Sequence, residues 1–243
     1  MRTERIFVVL CALGLAACRA TAPADAADGR AGGVPETAEA AGMVEIRALV
    51  PDIALDIRYA GKRNFTGGVV DGYEAPACYL LRPVAEALRD VEARLREQGL
   101  RLRIFDCYRP ARAVRHFVRW SHGADDPATR AGYHPSFRRS ELIPGGYIAD
   151  RSGHSRGATV DLTLMRCDDT GACVELDMGT SFDFFDPRAN TDHPGLGASV
   201  RANRDLLRGV MARHGFANYP MEWWHYTFRL EPPPEIHHDF PVR

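Results

Sequence analysis

Ser152-Gly153-His154-Ser155-Arg156-Gly157-Ala158-Thr159-Val160-Asp161-Leu162-Thr163-Leu164 carries two signals at once. Ala158, Val160, Leu162 and Leu164 alternate with Thr159, Asp161 and Thr163, the two-residue period of a β-strand. That period puts Asp161 on the face opposite the apolar set. Ahead of the strand, His154 stands on a turn bounded by glycines. A carboxylate among apolar neighbours is costly to bury without a partner. A metal ion would meet that cost, and so would a structural hydrogen bond to His154; the fragment fits both.

Further elements lie on either side. Val84, Leu88, Val91 and Leu95 are spaced by four, three and four, which predicts a helix over 83–98 with Pro83 in its first turn and Gly99 at its stop. Leu100, Leu102 and Ile104 alternate with Arg101 and Arg103 in a strand that ends at Asp106. A second helix is expected over 111–120, after the Arg109-Pro110 break, and a third over 199–214 with Gly215 as its stop. Residues 121–146 are polar and rich in Gly and Pro, and read as loops. A last strand is expected over 226–230. Helices and strands are mixed without regular alternation, so the fold class is α+β.

The chain of 243 residues is 45% hydrophobic and 26% charged, ordinary for a globular protein. Its net charge is −1 and it has no long basic block, so no nucleic-acid surface is indicated. Arg2 and Arg5 precede a short apolar run, Ile6 to Ala17, that reads as an export signal. The run ends in Leu15-Ala16-Ala17-Cys18, which is similar to a bacterial lipobox with Cys18 as the acylated residue; a plain secretory peptide is the alternative. Residues 1–18 would then be the signal, 19–42 a flexible tether rich in Ala and Gly, and 43–243 one folded domain. The expected location is the periplasm, with a lipid anchor in a membrane. Cys78, Cys107, Cys167 and Cys173 would remain after processing, an even number that permits two disulfides in an oxidising compartment. Cys167 and Cys173 flank a short polar segment and would close a tight loop, leaving Cys78 with Cys107. Four free thiols are the alternative.

Two other places carry chemistry. Glu222-Trp223-Trp224-His225 sets an acid and an imidazole on either side of two aromatics. Asp106-Cys107-Tyr108-Arg109-Pro110 ends a strand with an arginine that can point into a cleft. Taken together, His154, Asp161 and His225 form a donor set typical of catalytic zinc, which leaves a position for water. Glu222 can take a proton from that water, and Arg109 can stabilise an oxyanion.

With these motifs the chain resembles the VanX-type D-alanyl-D-alanine dipeptidases of the zinc D-peptidase superfamily. The resemblance rests on Ser152 to Asp161 running into Leu162-Thr163-Leu164, on Glu222 to Tyr226, and on Tyr108-Arg109-Pro110. It extends to Asn64-Phe65-Thr66-Gly67, Val70-Asp71-Gly72-Tyr73, Met178-Gly179, Phe182-Asp183-Phe184 and Asp239-Phe240-Pro241-Val242. It implies a single-domain, hedgehog-like fold with a central antiparallel sheet flanked by helices. It implies one zinc ion on His154, Asp161 and His225, with Glu222 as general base and then acid, and Arg109 on the tetrahedral intermediate. Asp183 would bind the ammonium of a dipeptide, assisted by Ser152 and Tyr59, and Tyr73 would serve the other end of the substrate. The expected reaction is release of D-alanine from D-Ala-D-Ala, linked to peptidoglycan turnover or D-amino acid recycling.

Four features depart from the family pattern. Gly153 stands where serine is common, Cys107 is unexpected in its motif, the Cys167–Cys173 segment is slightly longer than expected, and the export signal is foreign to the best-known cytoplasmic relatives. A D,D-carboxypeptidase acting on peptidoglycan stems and a non-catalytic, lipid-anchored peptidoglycan-binding protein are the competing readings. Asp183 argues against the first, and Glu222 with Arg109 against the second. The remaining histidines, His237 and His238 in the Pro-rich tail among them, are expected to take no part in metal binding, and these two to face solvent.

Overall fold

Strand β5, Thr159–Cys167, is the centre of the molecule, and the seven residues Thr159–Met165 within it are buried. The computed structural model describes residues 33–243; the proposed signal peptide, Cys18 and the first part of the tether lie outside the described residues. The other strands are β1 (Met43–Glu45), β2 (Ala54–Leu55), β3 (Tyr79–Leu81), β4 (Leu100–Asp106), β6 (Cys173–Glu175), β7 (Phe216–Asn218) and β8 (His225–Phe228). The sheet runs β2-β4-β5-β8-β7, with β6 paired to the far end of β5. All its pairs are antiparallel except the edge pair β2–β4. β1 and β3 form a separate two-stranded ribbon.

The helices are α1 (Arg82–Arg96), α2 (Ala111–Ser121), α3 (Pro127–Tyr133) and α4 (Ala198–Arg213). The α+β expectation is borne out. The apolar face predicted for α1 is completely buried at Val84, Leu88, Val91 and Leu95. One acid joins that face: Glu92 is buried and accepts from the backbone N–H of Leu102 at 2.7 Å, with Arg96 and Arg101 beside it. A buried carboxylate held this way ties α1 to β4. The helix stops two residues earlier than the periodicity suggests, because Gly99 takes the left-handed turn (φ +66°) that feeds β4.

Three expectations need correction. The loop expected over 121–146 contains α3, whose N-terminus is capped by the Asp126 carboxylate and begins at Pro127. α3 buries no residue, so it has no apolar stripe to betray it. The tether expected through residue 42 ends sooner. Residues 36–42 form hydrogen-bonded turns, and Ala38 and Ala41 pack on the core. His238 is buried rather than solvent-facing. Its backbone N–H donates to Ser155 and its carbonyl accepts from Ala111, while its ring packs near Tyr108 and Phe240. The C-terminal segment thus threads behind the turn that carries His154.

Candidate metal centre and cleft

Sheet register brings the site together. A shift in the β4–β5 ladder after Ile104 sets Asp106 opposite Asp161, and the β5–β8 ladder sets Asp161 opposite His225. Three strands therefore present Asp106, Asp161 and His225 in one row. His154 reaches the same place from the 3-10 turn Gly153–Arg156, where the Ser152 hydroxyl accepts from the His154 N–H. Gly157 closes that turn at φ +72°.

Asp161 lies 3.3 Å from His154 Nε2 and 3.1 Å from His225 Nδ1, and the two imidazole nitrogens are 3.3 Å apart. His154 and Asp161 are buried, and His225 is partly so. Asp161 Oδ1 is buried and makes no hydrogen bond. A carboxylate whose two oxygens face one imidazole nitrogen each, Oδ1 toward His225 and Oδ2 toward His154, fits a divalent cation. The His154 ring is oriented for that purpose: its Nδ1 is 2.7 Å from the carbonyl oxygen of Cys107, to which it donates. Nε2 is then free to ligate. Burial alone would raise the Asp161 carboxyl, but the two imidazoles draw it below the usual carboxylate range.

Glu222 Oε2 lies 3.5 Å from His225 Nδ1. Burial, reinforced by the charge of Asp161, pushes the Glu222 carboxyl well up. A nearby cation would pull it back toward a value suited to proton exchange. Arg109 Nε donates to Asp106 at 2.9 Å, and its NH2 group is 3.4 Å from Asp161. Its guanidinium also sits 5.1 Å from the ring centroids of Tyr59 and Phe117. Burial opposes its charge, yet Asp106 keeps it protonated.

Asp183 lines the same cleft. It is buried, takes a left-handed backbone (φ +59°), and accepts from the Tyr59 hydroxyl at 3.0 and 3.1 Å. It has no ion pair among the described residues. Burial, with Asp161 adding to it, pushes its carboxyl well above the ordinary range. The cleft encloses about 290 Å³ and is walled by Phe65, Phe117, Tyr147, Phe185, Tyr219 and Trp224 among others.

Sequence reasoning placed His154, Asp161, His225, Glu222, Arg109, Asp183, Tyr59 and Ser152, and all of these line the cleft except the fully buried His154 behind it. Tyr73 does not line it. Its hydroxyl donates to Asp106 at 2.6 Å from within the core, so it holds the acid that holds Arg109 rather than touching a ligand. Asp106 was missed as a site residue, although it stands three positions before Arg109 at the end of a strand. Tyr147, Arg151 and Tyr219 were also missed, because they come from loops with no periodicity to read.

Cys78 and Cys107 form a disulfide (Cα–Cα 5.2 Å), as do Cys167 and Cys173 (Cα–Cα 4.0 Å). The first lies directly behind His154. The Gly153 departure also has a local cause: a Cβ there would meet the Thr159 hydroxyl at 2.8 Å.

Comparison with known proteins gives a consistent result. The family model for peptidase M15, described as D-ala-D-ala dipeptidase, matches residues 39–243. A D-alanyl-D-alanine dipeptidase of Streptomyces coelicolor is 44% identical over 194 residues, covering 80% of this chain and 95% of its own. One of Enterococcus faecium is 40% identical, covering 83% of this chain and 98% of its own. One of Escherichia coli is 31% identical, covering 76% and 83%.

Proposed function

The chain belongs to the peptidase M15 family of D-ala-D-ala dipeptidases, which makes it a metallopeptidase, and on that premise we propose that it hydrolyses D-Ala-D-Ala to free D-alanine with zinc as its metal. The observation that carries the substrate reading is Asp183. A buried carboxylate with one hydroxyl donor and no cation among the described residues is unsatisfied as it stands. A substrate ammonium would complete it. An internal amide of a longer chain has no ammonium to offer, so the same residue selects dipeptides.

Zinc on His154, Asp161 and His225 would supply Lewis acidity at the scissile carbonyl and an open position for water. Around it, Glu222 takes a proton from the attacking water and returns it to the leaving amine as the C–N bond breaks. Arg109, held charged by Asp106, faces the charge that develops on the carbonyl oxygen. Ser152 shapes the turn that carries His154, and Tyr59 orients Asp183.

The site of action in this reading is outside the cytoplasm, on a membrane through an acylated Cys18. The N-terminal run through Leu15-Ala16-Ala17-Cys18 supports it, and so do two disulfides within the described residues. There the enzyme would meet dipeptides from peptidoglycan turnover. Cys18→Ala should release the protein from membrane fractions; membrane retention in that variant would remove the anchor from the reading.

Assays on D-Ala-D-Ala and on a longer peptide ending in D-Ala test the substrate. The dipeptide alone should be cleaved, chelator should abolish turnover and zinc should restore it. Glu222→Ala should keep its metal and lose about 10²- to 10⁴-fold in kcat. Cleavage of the longer peptide without the dipeptide would replace this reading with a carboxypeptidase.

A further inference from the structure

We infer that Arg151 binds the C-terminal carboxylate of the substrate and so makes the cleft selective for a free acid at the leaving residue. This rests on the dipeptidase reading, in which Asp183 takes the amine and leaves the opposite charge of the zwitterion without a partner.

Among the described residues, Arg109, Arg151 and His225 are the cationic or titratable basic side chains lining the cleft. His225 belongs to the metal centre. Arg109 is committed to Asp106 and Asp161 and enclosed between the Tyr59 and Phe117 rings. Arg151 is different: it is exposed and has no hydrogen bond or ion pair among the described residues. The remaining charged residues of the lining, Asp161, Asp183 and Glu222, are acids that repel a carboxylate. A guanidinium with all its donors free is suited to bidentate capture of one.

Position supports the assignment. A second hollow, lined by Arg151, Gly153, Arg156, Glu235 and His237, meets the cleft at Arg151 and Gly153. Asp183 belongs to the cleft alone. The exposed Arg151 therefore marks the mouth and the buried Asp183 the interior, with Asp161 and His225 of the metal centre in the same lining. Arg151 and Arg156 set two guanidinium groups against one acid, Glu235, in that hollow, and together with burial they push the His237 imidazole down. Arg151 also immediately precedes Ser152 on the turn that places His154, so the carboxylate site and a metal ligand share one short piece of backbone.

Steady-state kinetics on D-Ala-D-Ala and on its C-terminal amide, with wild type, Arg151→Ala and Arg151→Lys, test this. Arg151→Ala should raise KM for the acid about ten- to a hundredfold, leave kcat nearly unchanged and leave both constants for the amide unchanged. Arg151→Lys should recover part of the loss. The melting temperature of Arg151→Ala should match wild type, because the side chain is exposed and unbonded. Equal effects on acid and amide, or no effect on either, would overturn the inference while the dipeptidase reading stands. A metal-loaded wild type inert on both substrates would overturn that reading and this inference with it.

Discussion

His154 donates its Nδ1 hydrogen to the carbonyl oxygen of Cys107 across 2.7 Å, and Cys107 is itself bridged to Cys78. The hydrogen bond fixes the tautomer and leaves Nε2 free to ligate a metal. Backbone hydrogen bonds brace the same corner, from Tyr108 to the Tyr79 carbonyl and from Arg109 to the His154 carbonyl. A disulfide thus stands directly behind His154, one of the three residues that could hold a metal.

Replacing Cys78 and Cys107 together by serine should cost about 2–4 kcal/mol of stability. It should also speed metal loss to a chelator, because the carbonyl that orients His154 is less firmly held. Denaturant unfolding and a timed chelator assay measure the two effects. Lower stability with unchanged metal loss would show that the backbone hydrogen bonds hold the carbonyl without the bridge.

Asp183 makes stability depend on pH in an unusual direction. Burial raises its carboxyl above the unfolded value near 4, so the folded protein binds this proton more tightly than the unfolded chain. That contribution is fully present below about pH 4 and is lost as pH rises toward the folded value. Asp183→Asn should therefore match wild type in stability near pH 3 and exceed it at pH 7. Asparagine also tolerates the left-handed backbone at this position. The same variant should raise KM for the dipeptide at least about tenfold. Unfolding curves at the two pH values check the first expectation and kinetics the second.

Asp186 behaves in the opposite way. Burial would raise its carboxyl, but hydrogen bonds from Arg188 and Ser136 hold it at about 2. Its stabilisation is present above the unfolded value near 4 and is lost as pH falls through about 2. Asp186→Asn should cost about 2 kcal/mol at pH 7 and converge with wild type near pH 2. A constant gap across that range in acid titrations of stability would sink the assignment.

Gly153 and Thr159 should be substituted as a pair. Gly153→Ser alone drives a Cβ into the Thr159 hydroxyl, which is buried and bonded to Thr227 at 3.0 Å, and should cost about 1–3 kcal/mol. Adding Thr159→Ala should recover most of that loss. A double-mutant cycle in thermal unfolding reads the coupling, and additive losses would mean that the turn moves to make room.

The sequence was most legible where one physical signal dominated. Val84 to Leu95 and Leu100 to Ile104 announced α1 and β4 through their periods alone, because each buries one regular face. α3 stayed hidden because no face of it is buried, and only the Asp126-Pro127 pair marked its start. His238 was misread because a Pro-rich tail with two histidines looks solvated. Its burial comes from backbone hydrogen bonds to Ser155 and Ala111, which no local pattern encodes.

The residue types of the site were fixed locally, by His154 on its glycine-bounded turn, Asp161 on its strand and Glu222 with His225 on theirs. Their meeting was decided by strand register. Asp106, Asp161 and His225 form a row only because the β4–β5 ladder shifts after Ile104 and β8 pairs with β5 in the register that sets His225 opposite Asp161. Long-range pairing also turned Tyr73 away from the cleft and onto Asp106, and left Arg151 at the mouth without a partner among the described residues. Local sequence can state which groups need partners. Which partners they meet depends on chain segments tens of residues apart, brought together by burial and hydrogen bonding over the whole fold.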